Sequence, residues 1–245
     1  MRRRLFLWSG AGLALLVASV VASVSLGSAN ISIGQVWKIL LHQLPVVGDG
    51  VRVDWPGPSE QIILKVRLPR VVLAVLIGAA LSVAGAGFQG VLRNPLAEPY
   101  TLGVASGASV GAAFLILFGL QYALIGSWSV PLAAFCTGIA TLWIVYRLAQ
   151  MQGKLKMETL ILSGVVMQAF LGAAVSFMVS LSTNVVNDIL FWIMGSLTMR
   201  GWTYSLLLFP YLAAGMAVLY GYARALNLFA LGERQAAHLG VHVER

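Results

Sequence analysis

Residues 67–111 read RLPRVVLAVLIGAALSVAGAGFQGVLRNPLAEPYTLGVASGASVG, and this stretch decides the fold. A basic doublet, Arg67 and Arg70, precedes an uncharged run from Val71 to Leu92. A charged, proline-bearing turn follows, and then a ladder of glycines. A helix needs about 20 apolar residues to cross the hydrocarbon of a bilayer, so Val71 to Leu92 is long enough for one crossing.

The same pattern extends outward in both directions. No charge occurs from Pro99 to Tyr146, from Thr159 to Asn187 or from Gly201 to Ala223. The first of these runs is long enough for two helices, with a hinge between Gly119 and Ser129. Leu5 to Leu26 adds a further span. The sequence therefore predicts an all-α, multi-pass transmembrane bundle forming one domain over 1–245. Its six spans lie near 5–26, 69–92, 101–120, 123–146, 159–181 and 203–223. Between them, Ile31 to Leu44 has helical apolar spacing with Trp37 as an interface anchor, and 184–200 suits a short interfacial helix.

Composition agrees with a membrane protein. Hydrophobic residues make up 59% of the chain and charged residues 10%, against about a quarter charged in soluble domains. Arg2, Arg3 and Arg4 before an apolar run, with Gly27-Ser28-Ala29 after it, imitate a secretory signal. The run is longer than the roughly 7–15 residues of such signals, so it reads as an uncleaved first span. Six spans put both termini on one side. If that side is cytoplasmic it carries ten of the 16 Lys and Arg residues, as the positive-inside bias requires. The net charge of +8 thus reads as topology. Nucleic-acid binding is excluded as its explanation, because the basic residues form no single stripe interleaved with aromatics.

Several chemistries are missing from the sequence. Cys136 is the only cysteine and lies within a span, and His42, His238 and His242 form no ligand set, so neither a metal site nor a cofactor is expected. No ionisable residue sits mid-span, although ion-coupled carriers and intramembrane hydrolases need one. No GxxxxGK[ST] motif occurs, so ATP hydrolysis, and catalysis generally, is not expected of this chain. Small residues recur four apart at Gly78, Ser82, Ala86 and Gly90, at Gly103, Gly107 and Gly111, and at Gly172, Ser176 and Ser180. In lipid such ladders bring helix backbones together. They predict tight packing and do not by themselves indicate transport.

An ordered set of motifs resembles the FecCD or BtuC-like permeases of iron-siderophore, haem and vitamin B12 ABC importers. It comprises Arg67-Leu68-Pro69-Arg70, Gly85-Ala86-Gly87-Phe88-Gln89-Gly90, Asn94-Pro95-Leu96-Ala97-Glu98-Pro99 and Leu102-Gly103-Val104-Ala105-Ser106-Gly107-Ala108. Phe191-Trp192-Ile193-Met194-Gly195-Ser196-Leu197 and the 231–241 region continue it, so the likeness covers essentially the whole chain. It implies the permease fold of a type II ABC importer in a bacterial or archaeal cytoplasmic membrane, amino terminus inside.

The resemblance also implies roles. Arg67 and Arg70 would receive acidic residues of an external substrate-binding protein, where opposite charges set register. Asn94, Pro95 and Leu96 would narrow the path at the cytoplasmic gate, with Met157 and Glu158 as a second constriction. Leu231, Gly232, Glu233, Ala236, Ala237, Leu239 and Gly240, within a segment from Leu226, would couple to the ATPase. The partners implied are a second permease, as a homodimer or a pair, two cytoplasmic ABC ATPase subunits, the binding protein and the lipid bilayer. The cargo implied is an iron(III)-siderophore, with cobalamin and haem as alternatives. The family has ten spans, so six imply a truncated permease or one completed by another chain. The competing readings from other classes are a secondary carrier and a non-transporting membrane scaffold.

Overall fold

The computed structural model describes residues 2–239 apart from 46, 47, 124, 152, 153, 199, 231, 233–235 and 237. The described helices are α1 (Arg2–Ser25), α2 (Ile33–His42), α3 (Gly57–Gln61), α4 (Leu68–Leu92), α5 (Val104–Leu117), α6 (Ser129–Ala149), α7 (Met157–Leu181), α8 (Val186–Met194) and α9 (Trp202–Phe229). A π-helical turn, Ile62–Arg67, joins α3 to α4. Strand pairing among the described residues is limited to Gln150 with Leu155 and Met151 with Lys154, which turn the chain back between α6 and α7.

Among the described residues, five helical stretches are long and apolar enough to cross a membrane: Arg3–Ser25, Gly57–Leu92, Gly126–Ala149, Met157–Leu181 and Trp202–Phe229. The span expected at 101–120 takes another form. Pro99–Leu102 winds as a 3-10 turn, Gly103 adopts φ 74°, and only the 14 residues of α5 are α-helical. At about 1.5 Å per residue that gives roughly 21 Å, short of a full crossing. The hinge expected between Gly119 and Ser129 is present, with Gly119 and Gly126 both at positive φ.

The chain divides into two compact units, and α4 and α9 each contribute to both. The first comprises 1–81 and 197–217. Its core is a small apolar cluster of Val24, Val36, Ile39, Trp55, Ile63 and Val71. Ser32 caps α2 by accepting the Gln35 amide at 3.3 Å, and Trp37 donates its indole N–H to Ser25 Oγ at 3.1 Å. Around the cluster, Lys38 pairs with Asp54, and Glu60 accepts from both Gln43 and the Trp55 indole.

The second unit comprises 82–196 and 218–245, and α5 lies at its centre. Gly107 and Gly111 let α6 approach. A Cβ on Gly107 would overlap Thr141 Oγ1, and one on Gly111 would overlap Thr137 Oγ1 and come within 2.8 Å of the Ala133 carbonyl. The two threonine hydroxyls donate to carbonyls one turn back, at 2.8 Å each, so neither is left unpaired in an apolar setting. At the 3-10 turn ahead of α5, Gly164 of α7 lies under the Thr101 carbonyl and Leu102 Cα. Ala112, Ala113, Leu115 and Ile116 complete the packing with Val130, Ala134 and Ile189 of α8.

The ladders differ in use. Gly103, Gly107 and Gly111 all meet neighbours, whereas a Cβ on Gly78 or Gly172 would meet open space within this chain. Substituting Gly111 with Val should therefore lower thermal stability in detergent by about 1–3 kcal/mol through overpacking. Gly78→Ala should leave it unchanged in the same assay. Outside the membrane helices, Lys38 holds the Asp54 carboxyl below its ordinary value of 3.8, chiefly by hydrogen bonding. The stability this pair contributes is present above that ordinary value and lost as pH falls through the lowered one. Lys38→Met should return the Asp54 titration, followed by its carboxyl NMR resonance, toward 3.8.

Candidate functional site

The head of α4 is built around a proline. Pro69 has no N–H to give to a carbonyl one turn earlier, and its ring crowds that turn. The chain accommodates it by widening to a π-turn, in which Leu68 N–H reaches back to the Ile63 carbonyl. In that register the Leu64 carbonyl faces Pro69 and receives no backbone donor. The Trp202 indole N–H supplies one at 2.9 Å, and Ser205 Oγ lies 3.4 Å from the Pro69 carbonyl. Pro69 is therefore more than a first-turn residue: it creates the acceptor that fastens the start of α9 to the start of α4.

The two arginines flanking this proline have different surroundings. Arg70 is exposed. Arg67 is only 9% exposed and donates to the Val24 carbonyl at 3.0 Å and the Ser25 carbonyl at 3.4 Å. These are terminal carbonyls of α1, where a cation also meets the negative end of the helix dipole. Gly27 makes the space: a Cβ there would stand 2.6 Å from Arg67 Cζ. Arg67 thus caps a helix, while Arg70 is the exposed member of the doublet. Glycine directly after a span, followed by an arginine ahead of the next, was the available sequence signal.

At the other end of α4, Arg93 takes φ 51° and ends the helix. Asn94 then shapes the turn, its Oδ1 accepting the Leu96 amide at 2.9 Å and its carbonyl the Ala97 amide at 3.0 Å. Glu98 is extended, as a residue before proline prefers, and Pro99 opens the 3-10 turn. Pro95 and Leu96 are exposed, Leu96 by 83%, while Ala97 is buried. Ala97 joins Leu92, Leu102, Val145, Ala149 and Leu160 in one apolar cluster, with Met157 packed against it. The turn after α4 and the start of α7 are therefore neighbours, although 60 positions separate Ala97 from Met157 in the sequence. Glu158 lies in the first turn of α7 and is exposed, where its charge favours the helix dipole.

α9 continues to Phe229, so Leu226 to Phe229 belong to that helix and not to a separate segment. Beyond it, Gly232 at φ 113° breaks the helix, its N–H bonded to the Phe229 carbonyl at 3.0 Å. The Ala236 amide then returns to the Gly232 carbonyl at 2.9 Å, and that of Leu239 to the Ala236 carbonyl at 3.1 Å. Ala236 is buried and Leu239 exposed. Leu231, Glu233, Ala237 and Gly240 lie outside the described residues. Among the described residues no three His, Cys, Asp or Glu side chains group to hold a metal ion.

Arg67→Met should remove two charge-assisted hydrogen bonds and lower thermal stability by about 1.5–3 kcal/mol. Gly27→Ala should destabilise in the same direction by displacing the guanidinium. Arg70→Met, at an exposed position, should stay within about 0.5 kcal/mol. Thermal unfolding of the three variants in detergent checks all of these.

Comparison with known proteins adds to this geometry. Residues 15–245 match the model of the FecCD transport family. An uncharacterized ABC transporter permease protein of Bacillus subtilis, YvrB, is 41% identical over 96% of this chain and 66% of its own length. The cobalamin import system permease protein BtuC of Halobacterium salinarum is 35% identical over 97% of this chain and 71% of its own. A solved metal-chelate type ABC transporter, in an inward-facing conformation, superposes with a TM-score of 0.72 at 29% identity, over 94% of this chain and 65% of that one. The chain thus spans about two thirds of the length of these proteins. With motifs, helices and relatives in agreement over nearly every residue, the chain belongs to the FecCD transport family.

Proposed function

We propose that this chain is the permease subunit of an ABC importer that moves a bulky metal chelate across the cytoplasmic membrane, its amino terminus on the cytoplasmic side. The observation that carries the reading is the meeting of the 94–97 turn with the start of α7 in one apolar cluster. Two segments distant in sequence converge where uncharged helices end, an arrangement suited to a gate. Asn94, Pro95 and Leu96 form its narrow turn, and Met157 and Glu158 flank it.

The chelate is an iron(III)-siderophore in this proposal, and cobalamin or haem the alternative within the same class. Support comes from the metal-chelate transporter and the cobalamin permease to which the chain is similar. An uncharged pathway passes such a ligand without binding it tightly. Energy comes from two separate cytoplasmic ATPase subunits, which engage the 231–240 segment and shift the pathway between outward- and inward-facing populations. A second permease, identical or homologous, completes the path. An external binding protein docks at Arg70, whose exposed charge meets an acidic partner, while Arg67 holds the surrounding helices.

Two measurements test this. The chain should co-purify with its cognate ATPase, and disruption of 232–240 should abolish that association. Retention after disruption would overturn the coupling role. Arg70→Glu should slow binding-protein association at low salt by about tenfold or more, with the difference shrinking as salt rises. Unchanged docking at low salt would remove Arg70 from the interface.

A further inference from the structure

The carboxyl-terminal parts of α4 and α9 meet at three points. Leu219 closes on Gly87, where a Cβ would lie 3.1 Å from its Cδ2. Leu226 closes on Gly90, where a Cβ would lie 3.6 Å from Leu226 Cβ. The Arg93 guanidinium stands over the Phe229 ring, 5.4 Å from its centroid. Positions 87, 90 and 93 fall on one face of α4 and its cap, and 219, 226 and 229 on one face of α9. The contacts advance in the same direction along both helices. A Cβ at Gly87 would press on the Leu219 side-chain tip, whereas one at Gly90 would meet Leu226 at ordinary van der Waals distance. The third is the last residue before the Asn94 turn, set against the last residue of α9.

From this seam we infer that the end of α4, the 93–97 turn and the end of α9 move as one body, with Arg93 as the positioning residue that clasps the turn to Phe229. Arg93 is suited to this by two independent features. Its φ of 51° ends α4 and releases its side chain sideways, and its cation lies within the range of about 6 Å at which an aromatic face attracts it. Phe229 is followed within three residues by the break at Gly232. A push on the segment after α9 therefore reaches the turn after α4 through the seam, without passing along the full length of either helix. This deepens the importer reading and rests on it.

The 3.6 Å Cβ separation falls within the range that a disulfide bridges. The test pairs Gly90→Cys with Leu226→Cys in a Cys136→Ser background, oxidised in native membranes and read by protection of both thiols from a maleimide. The cross-link should form, and in the assembled importer the locked protein should retain uptake per ATP hydrolysed. Arg93→Ala should lower that ratio about two- to fivefold, in keeping with an exposed cation–π contact, while ATP hydrolysis continues. Arg93→Lys should restore part of it, and Phe229→Leu should reproduce the loss. A merely structural role would lower the amount of protein and leave the ratio alone. The inference falls if the thiols stay reactive, if the cross-link stops uptake until reduced, or if Arg93→Ala leaves the ratio unchanged. Should no ATPase associate with the chain, the importer reading fails, and thiol protection, which needs no ATPase, distinguishes that result from a missing seam.

Discussion

The close approach of α5 to α6 at Gly107 and Gly111 is the contact on which the second unit depends. Within a bilayer, apolar side chains gain little by leaving lipid for protein, so helices must be held by close contact and satisfied polar groups. The Thr137 and Thr141 hydroxyls occupy the volume that side chains at the two glycines would take. Because those hydroxyls turn back to their own helix, α6 presents a surface of methyl groups and paired oxygens to α5. Beside that seam, Gly164 seats α7 against the 99–102 turn, and α8 packs its fully buried Ile189 against α5.

The first unit meets a related constraint by other means. Its freed carbonyls lie at the end of α1 and beside Pro69, and each finds a long side chain from another element. Arg67 serves the end of α1, and Trp202 serves the π-turn. Both solutions join segments distant in sequence, so the residues that satisfy the backbone are also those that organise the helices. A charged or indole donor at such a point carries structural weight out of proportion to its number of contacts, since loss of the donor leaves a carbonyl stranded.

Much of this was legible in the sequence, because hydropathy and length are local properties. The all-helical class, the long spans, the hinge around Gly119 and Gly126 and the short helix before Gly195 follow from uncharged runs, glycines and aromatic residues. Motif order carried the family. Pairing was less legible. The α4 ladder of Gly78, Ser82, Ala86 and Gly90 is regular, yet Gly87, outside it, makes the tighter contact with α9. Spacing reveals that a helix has a small-residue face, but the partner helix decides which part of that face is used. The burial of Arg67 was hidden for the same reason, since its acceptors lie 42 and 43 positions away. The shortness of α5 was also concealed, because Pro99 to Leu102 is as uncharged as the helix that follows it.

That shortness has a consequence for how the protein meets its membrane. A helix exposed to lipid must match the hydrocarbon thickness or deform it, at a cost for each ångström of mismatch. α5 is instead screened by α6, α7 and α8, with Gly107, Gly111, Ala112, Ala113, Leu115 and Ile116 buried. Its length answers to its protein neighbours and not to the acyl chains. The ends of α5 can therefore stop within the depth of the hydrocarbon, where irregular backbone is tolerated only under protein cover. A thicker or thinner bilayer would press on α6 and α7 and leave this central helix of the second unit less affected.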